Sequence, residues 1–101
     1  MQLYGDKLSG NCLKVKYVAD HLNLDYTWVD VDITTGGSRT EEFLARNPQG
    51  QVPVVELDDG RTLGQSNAII RYLAHNTSLL PSDPFAAAKV DEALFLSLIH
   101  I

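Results

Sequence analysis

Apolar residues recur at two different spacings along this chain of 101 residues, and each spacing predicts a different element. After Cys12 they fall three or four positions apart, which is typical of one buried face of a helix: Val15, Val18, Ala19 and Leu22. Residues 26–33 instead alternate between the two sides of a strand. The alternation predicts a strand that is buried chiefly on the side of Thr27, Val29, Val31 and Ile33.

Short segments on either side complete a first structural unit. Residues 2–4 are a strand candidate, and Asn11 is a plausible N-terminal cap for the helix that follows. Strand, helix and strand within about 30 residues predict two parallel strands joined by a right-handed crossover. Residues 34–38, which include two glycines, predict the loosest loop in the chain.

The second half predicts a short helix, a hairpin and another helix. Residues 40–46 have two acidic residues in the first turn and Arg46 in the last, as the helix dipole prefers, and Asn47-Pro48 ends this helix. Strands at 52–57 and 61–63 are joined by Asp58-Asp59-Gly60. Helical spacing returns at 68–75. This order of elements predicts the α/β class and is the layout of a thioredoxin-like fold.

Composition excludes several classes of function. The net charge of −5 comes from scattered acidic residues, which disfavours nucleic acid as a partner. No apolar run approaches the roughly 20 residues that span a membrane, and the start does not resemble a signal peptide, so we expect a cytoplasmic protein without a membrane partner. The single Cys12 can form neither an internal disulfide nor a dithiol pair, and the three histidines lack zinc-binding spacing, so no metal is expected.

Pro53 and Ser66 are the first candidates for a binding site. A cis bond before Pro53, which we expect, would turn the backbone N–H and C=O of Val52 toward a groove, where an extended peptide could pair with them. The alternative is a proline on an edge strand without a ligand. Ser66, at the start of a helix beside Gln65, could bind a carboxylate through its hydroxyl and backbone N–H, or simply cap the helix. Together the two features suit a short peptide with an extra carboxylate.

Ser9 is the third candidate. It precedes the first predicted helix, where a hydroxyl and nearby N–H groups can stabilise a thiolate that belongs to a ligand. The alternatives are an ordinary loop serine at this position, and Cys12 as the nucleophile instead of a small core residue.

Several stretches in the same order resemble the N-terminal domain of soluble glutathione S-transferases, especially bacterial serine-type members. The matching stretches are "LYG" from Leu3, "SGNCLKV" from Ser9, "RTEEFLARNPQGQVPVVELDDG" from Arg39, "LGQSNAIIRYLA" from Leu63 and "LLPSDP" from Leu79. The resemblance implies a thioredoxin-like domain at 1–77, a linker at 78–84 and, at 85–101, the truncated first helix of an all-helical domain. The apolar tail at 96–101 differs from the continuation expected for this family.

The resemblance also implies a function. It implies that a homodimer conjugates glutathione to a small electrophile. It also implies that Ser9 stabilises the glutathione thiolate, and that Val52 pairs with the cysteinyl backbone before a cis Pro53. It further implies a γ-glutamyl contact at Gln65, where the family often has Glu, and at Ser66. The remaining implied glutathione contacts are Arg39 and Gln51, near the glycyl carboxylate, and Asn11.

Two alternative functions remain open. One is a non-catalytic thioredoxin-like interaction module, which would have no reason to keep the Ser9, Val52-Pro53 and Gln65-Ser66 set. The other is a glutathione-dependent isomerase or dehalogenase, which would use the same binding site for different chemistry.

Overall fold

The computed structural model describes the backbone of residues 1–100 and the side chains of residues 1–94. The predicted order of elements is confirmed. The strands are β1 (Gln2–Gly5), β2 (Thr27–Asp30), β3 (Val54–Glu56) and β4 (Thr62–Gly64). The α-helices are α1 (Gly10–His21), α2 (Glu41–Arg46), α3 (Ser66–Ala74) and α4 (Pro84–His100).

The four strands form one sheet in the order β2-β1-β3-β4. β1 pairs in parallel with β2, as the crossover predicted, and both β1 with β3 and β3 with β4 are antiparallel. Neighbouring residues alternate between the two faces of the sheet. Leu3 and Val55 therefore pack with α1 and α3 on one face, whereas Tyr4 and Val54 pack with Phe43 of α2 on the other.

The cap of α1 differs from the prediction. The helix begins at Gly10, and its N-cap is Ser9 instead of Asn11. Ser9 has the extended backbone of a cap residue (φ −94°, ψ 123°), and its hydroxyl oxygen accepts a hydrogen bond from the backbone N–H of Cys12 at 3.4 Å. Asn11 lies inside the first turn, which leaves its side chain free for other contacts.

The second strand is shorter than predicted, and Ile33 is not buried in it. The strand ends at Asp30, and Asp32 then caps a 3-10 helix at Ile33–Thr35 by accepting from the N–H of Thr34 at 2.9 Å. This turn leaves the Ile33 side chain 45% exposed. A second 3-10 helix at Gly37–Arg39 follows, so the segment predicted as the loosest loop is largely two short helical turns.

Both helices of the last third begin before the apolar spacing that predicts them. α3 begins at Ser66, where the candidate site placed the start of a helix, and the spacing returns two residues later at residue 68. α4 begins at Pro84, and the carboxylate of Asp83 accepts from the N–H of Ala86 at 2.9 Å. Arg71 of α3 forms an ion pair with Asp91 of α4. The apolar tail at 96–101 lies outside the residues whose side chains the structure describes.

Among the described residues, the structure contains no helix of sufficient length and apolar character to cross a lipid bilayer.

Gly5 of β1 leaves room for Trp28 of β2 and Cys12 of α1. A Cβ atom at this position would lie 2.7 Å from Cη2 of Trp28 and 3.1 Å from Cβ of Cys12. Neither neighbour can move freely, because Cys12 is fully buried and Trp28 packs against the core.

We expect Gly5→Ala to lower the free energy of unfolding by about 1–3 kcal/mol, because the added methyl group overpacks the core. Urea denaturation of both forms measures the difference. Gly64→Ala is the matched control, since its Cβ would meet the Asn47 side chain at an ordinary 3.5 Å. Equal stability of the two variants would contradict the prediction.

Candidate functional site

One cavity of about 560 Å³ brings together every site residue predicted from the sequence. Its volume lies within the range of roughly 300–1,000 Å³ that is usual for small-molecule sites. The eight predicted residues that line it are Ser9, Asn11, Arg39, Gln51, Val52, Pro53, Gln65 and Ser66. The other three lining residues are Ile33, Ser38 and Gly50. The roles of the eight residues in binding remain predictions.

The Val52-Pro53 segment lies at the entry to β3. The peptide bond between the two residues is cis, as the sequence analysis predicted. Within the part of the chain that the structure describes, neither the N–H nor the C=O of Val52 has a backbone partner. Because Val52 also lines the cavity, its two main-chain groups are available to pair with an extended peptide.

Ser66 is the first residue of α3, and it is only 5% exposed. The N-cap of this helix is Gln65, and no described side chain of residues 1–94 caps the first N–H groups. The interpretation of Ser66 as the cap of its own helix is therefore wrong. Unpaired N–H groups, the Ser66 hydroxyl and the positive end of the helix dipole together form a site that suits a carboxylate.

Gln65, just before α3, has an unusual backbone conformation. Its φ of +68° is in the left-handed region, which side chains other than Asn and Asp rarely adopt. The Gln65 side chain lies against two other glutamines, and its Nε2 donates to Oε1 of Gln49 at 3.3 Å and of Gln51 at 3.4 Å. In this arrangement the Oε1 of Gln65 is left to accept from an amine.

Ser9 can cap α1 and still act on a ligand. A hydroxyl has one donor hydrogen and two acceptor lone pairs, and the cap to Cys12 uses one lone pair. The O–H group remains available for donation to a thiolate in the cavity. Cys12, in contrast, is 0% exposed and does not line the cavity, which favours its interpretation as a small core residue.

Among the lining residues within the described part of the chain, Arg39 has the only charged side chain. Among residues 1–94, no carboxylate lies within ion-pair distance of its guanidinium group. The start of α1 and the start of α3 add two helix N-termini to the same cavity, and each carries about half a positive charge. Although the whole chain has a net charge of −5, the cavity therefore favours an anionic ligand.

The turn before β3 contains two residues, Asn47 and Gly50, that were not predicted to support the site. Asn47 donates from Nδ2 to the backbone oxygen of Gln51 at 2.8 Å, and its own backbone oxygen accepts from Gly50. Gly50 has a φ of +65°, and a Cβ there would lie 2.9 Å from Nη1 of Arg39. A glycine two residues after Asn-Pro is a turn signal, but its contact with Arg39 is visible only in three dimensions.

Residues 8–76 match the family model for "Glutathione S-transferase, N-terminal domain". The chain belongs to the glutathione S-transferase family. Its mixed α/β sheet and helices are the thioredoxin-like arrangement of that N-terminal domain.

Individual members of the family show the same relationship. The chain is 41% identical to glutathione S-transferase 3 of Zea mays, in an alignment that covers 99% of this chain and 46% of that protein. It is 48% identical to a maleylacetoacetate isomerase of Rhizobium meliloti over 64% of this chain and 32% of that protein. The crystal structure of a glutathione S-transferase from Pseudomonas fluorescens superposes with a TM-score of 0.92 and 45% identity, over 96% of this chain and 48% of that one. The chain thus spans about half the length of its transferase relatives.

The cap of α1 provides a test of the site geometry without a ligand. We expect Ser9→Ala to lower the free energy of unfolding by about 0.5–2 kcal/mol, because an N–H at the start of the helix loses its partner. Asn11→Ala is the control, because Asn11 is not the cap and should cost less. Thermal unfolding by circular dichroism measures both. A larger loss for Asn11→Ala would contradict the observed cap.

Proposed function

We propose that this chain is the glutathione-binding part of a glutathione S-transferase, which conjugates the thiolate of glutathione to small electrophiles. The observation that carries the proposal is the cavity itself. A free main-chain segment at Val52 and the uncapped start of α3 at Ser66 line the same space, next to the Ser9 hydroxyl. A tripeptide with two carboxylates and a thiol needs all three groups close together.

In the proposed complex, Val52 pairs with the cysteinyl backbone of glutathione through its N–H and C=O, beside Pro53. Ser66 and the first N–H groups of α3 hold the γ-glutamyl carboxylate, and Gln65 accepts from the γ-glutamyl amine. The positive end of a helix and the hydroxyl beside it support this assignment for the carboxylate.

The remaining lining residues complete the proposed complex. Arg39 and Gln51 approach the glycyl carboxylate. Ser66 Oγ donates to Oδ1 of Asn11 at 3.4 Å, and in the proposed complex this O–H donates to the γ-glutamyl carboxylate instead, since a hydroxyl has one donor hydrogen. Ser9 donates to the thiolate and favours the ionised form of the thiol. An interaction of roughly 2.7 kcal/mol would lower the pKa of a thiol by two units, which one or two charge-assisted hydrogen bonds can supply.

The isomerase remains the second candidate within the family, because a curated maleylacetoacetate isomerase is 48% identical over 64% of the chain. A glutathione site of this kind serves both reactions, so the choice of reaction depends on the electrophile. The interaction module is less favoured, because an intact cavity lined by Arg39, which forms no ion pair within residues 1–94, has no function in a protein that binds no anion.

We further propose the domain division of 1–77, 78–84 and 85–101, a cytoplasmic location and a homodimer. The match of the family model to residues 8–76 supports the first boundary.

The exposure of Leu63 on β4 and of Tyr72 on α3 supports an association surface for the proposed homodimer. Light scattering on the chain tests the dimer, and a monomer at all concentrations would contradict it.

We expect Ser66→Ala to weaken glutathione binding by about 1–3 kcal/mol, because a hydrogen bond to a charged carboxylate is lost. Isothermal titration calorimetry of the chain with glutathione measures the change.

Ser78→Ala is the matched control, since Ser78 is exposed in the loop after α3 and lies outside the cavity. This variant should bind like the unmodified chain. Unchanged affinity in Ser66→Ala would argue against the assigned carboxylate site, and no heat of binding in the unmodified chain would overturn the proposed function.

A further inference from the structure

We propose that Asp6 is a positioning residue, which holds the loop between β1 and α1 so that the Ser9 hydroxyl faces the thiol of the ligand. Residues 6–9 form this loop, the Ser9 loop. The inference rests on the proposed function, since it concerns the geometry of the proposed thiolate contact. Asp6 itself does not line the cavity.

Asp6 makes three hydrogen bonds that fix the Ser9 loop. Its carboxylate Oδ1 accepts from the backbone N–H of Leu8 at 2.8 Å, and its backbone oxygen accepts from the N–H of Ser9 at 2.9 Å. Its other carboxylate oxygen, Oδ2, accepts from the N–H of Ile33 at 3.1 Å. One carboxylate thus joins the two segments that bring Ser9 and Ile33 to the cavity.

Little else holds the Ser9 loop in place. Leu8 is 88% exposed and Lys7 is also exposed, so neither residue packs into the core. Without apolar burial, the conformation of the loop depends on its hydrogen bonds. A substitution of Asp6 can remove the two hydrogen bonds that its carboxylate accepts, and it leaves the backbone hydrogen bond to Ser9 in place.

The negative charge of Asp6 disfavours a thiolate nearby. A positioning role and an electrostatic role of Asp6 therefore predict opposite effects of its neutralisation on the ionisation of the bound thiol. Asp6 is 7% exposed, and in the part of the chain with described side chains no Lys, Arg or His forms an ion pair with it. A negative charge near Ser9 disfavours a second negative charge on the ligand. If Asp6 acted only through its charge, its neutralisation would increase the ionisation of the bound thiol. If Asp6 positions Ser9, its neutralisation should decrease that ionisation.

The test is a pH titration of glutathione bound to the chain, followed by the ultraviolet absorbance of the thiolate. The substitution is Asp6→Asn, which keeps the shape of the side chain but places an amide NH₂ opposite one of the two backbone N–H donors. We expect the fraction of bound thiolate at neutral pH to fall by about threefold to tenfold, in the same direction as in Ser9→Ala. An unchanged or larger thiolate fraction would overturn the proposal.

Asp32→Asn is the matched control. Asp32 is an exposed carboxylate on the neighbouring loop, where it accepts from the N–H and the hydroxyl of Thr34, and its side chain makes no hydrogen bond to the described residues of the Ser9 loop. These bonds lower the pKa of Asp32, so the substitution removes a full charge at neutral pH. The thiolate fraction should stay the same or rise slightly. A decrease equal to that of Asp6→Asn would contradict the proposal, because Asp32→Asn leaves the hydrogen bonds of Asp6 to the Ser9 loop in place.

Asp6→Glu keeps the charge but moves the carboxylate oxygens, and it should also lower the thiolate fraction if positioning matters. It serves as the second variant should Asp6→Asn fail to fold, as judged by its circular dichroism.

Failure of the inference is distinguishable from failure of the proposed function. If the unmodified chain binds no glutathione, the proposed function fails; if it binds with a thiolate that depends on Ser9 but not on Asp6, only the inference fails.

Discussion

The direction of the strands is the constraint on which the site depends. β4 runs parallel to β1, because each of the two is antiparallel to β3, which lies between them. The carboxyl ends of β1 and β4 therefore lie at the same edge of the sheet, and α1 and α3, which follow these two strands, both begin there. β3 runs in the opposite direction, so the segment that leads into it, with Val52, starts from that edge as well. Ser9, Val52 and Ser66 meet because of the topology, although they are far apart in sequence.

This arrangement also concentrates positive potential in an acidic protein. Unpaired N–H groups at helix starts are fixed partial charges, which need no flexible side chain to be ordered when an anion binds. Arg39 adds a full charge next to them, and the Gly50 turn leaves room for its guanidinium group. A small domain can in this way recognise a charged peptide with one cationic side chain in the cavity.

Much of this structure could be predicted from local patterns, and the differences have physical causes. The order of elements followed from apolar spacing and turn residues. The candidates Ser9, Val52-Pro53 and Gln65-Ser66 followed from local chemistry, and the other three site residues, Asn11, Arg39 and Gln51, from the resemblance to a family. The cap of α1 could not be assigned with certainty, because Ser9 and Asn11 are both good caps and the choice depends on where the backbone becomes extended. Ile33 fitted the alternation of a strand, but the cap at Asp32 ended that pattern. The contacts of Asp6 and Gly50 join distant segments, and local spacing holds no information about them.

The left-handed backbone at Gln65 links folding to recognition. A residue with a side chain is disfavoured at this torsion by about 1 kcal/mol or more, whereas glycine would adopt it freely. The chain nevertheless has a glutamine there, which supplies an amide to the lining of the cavity that glycine could not provide. The free protein thus gives up some conformational stability at one position, and occupancy of the cavity would offset that local cost. A substitution that relieves this torsion would raise the free energy of unfolding, and it would also remove an amide from the cavity and so reduce selectivity for the ligand.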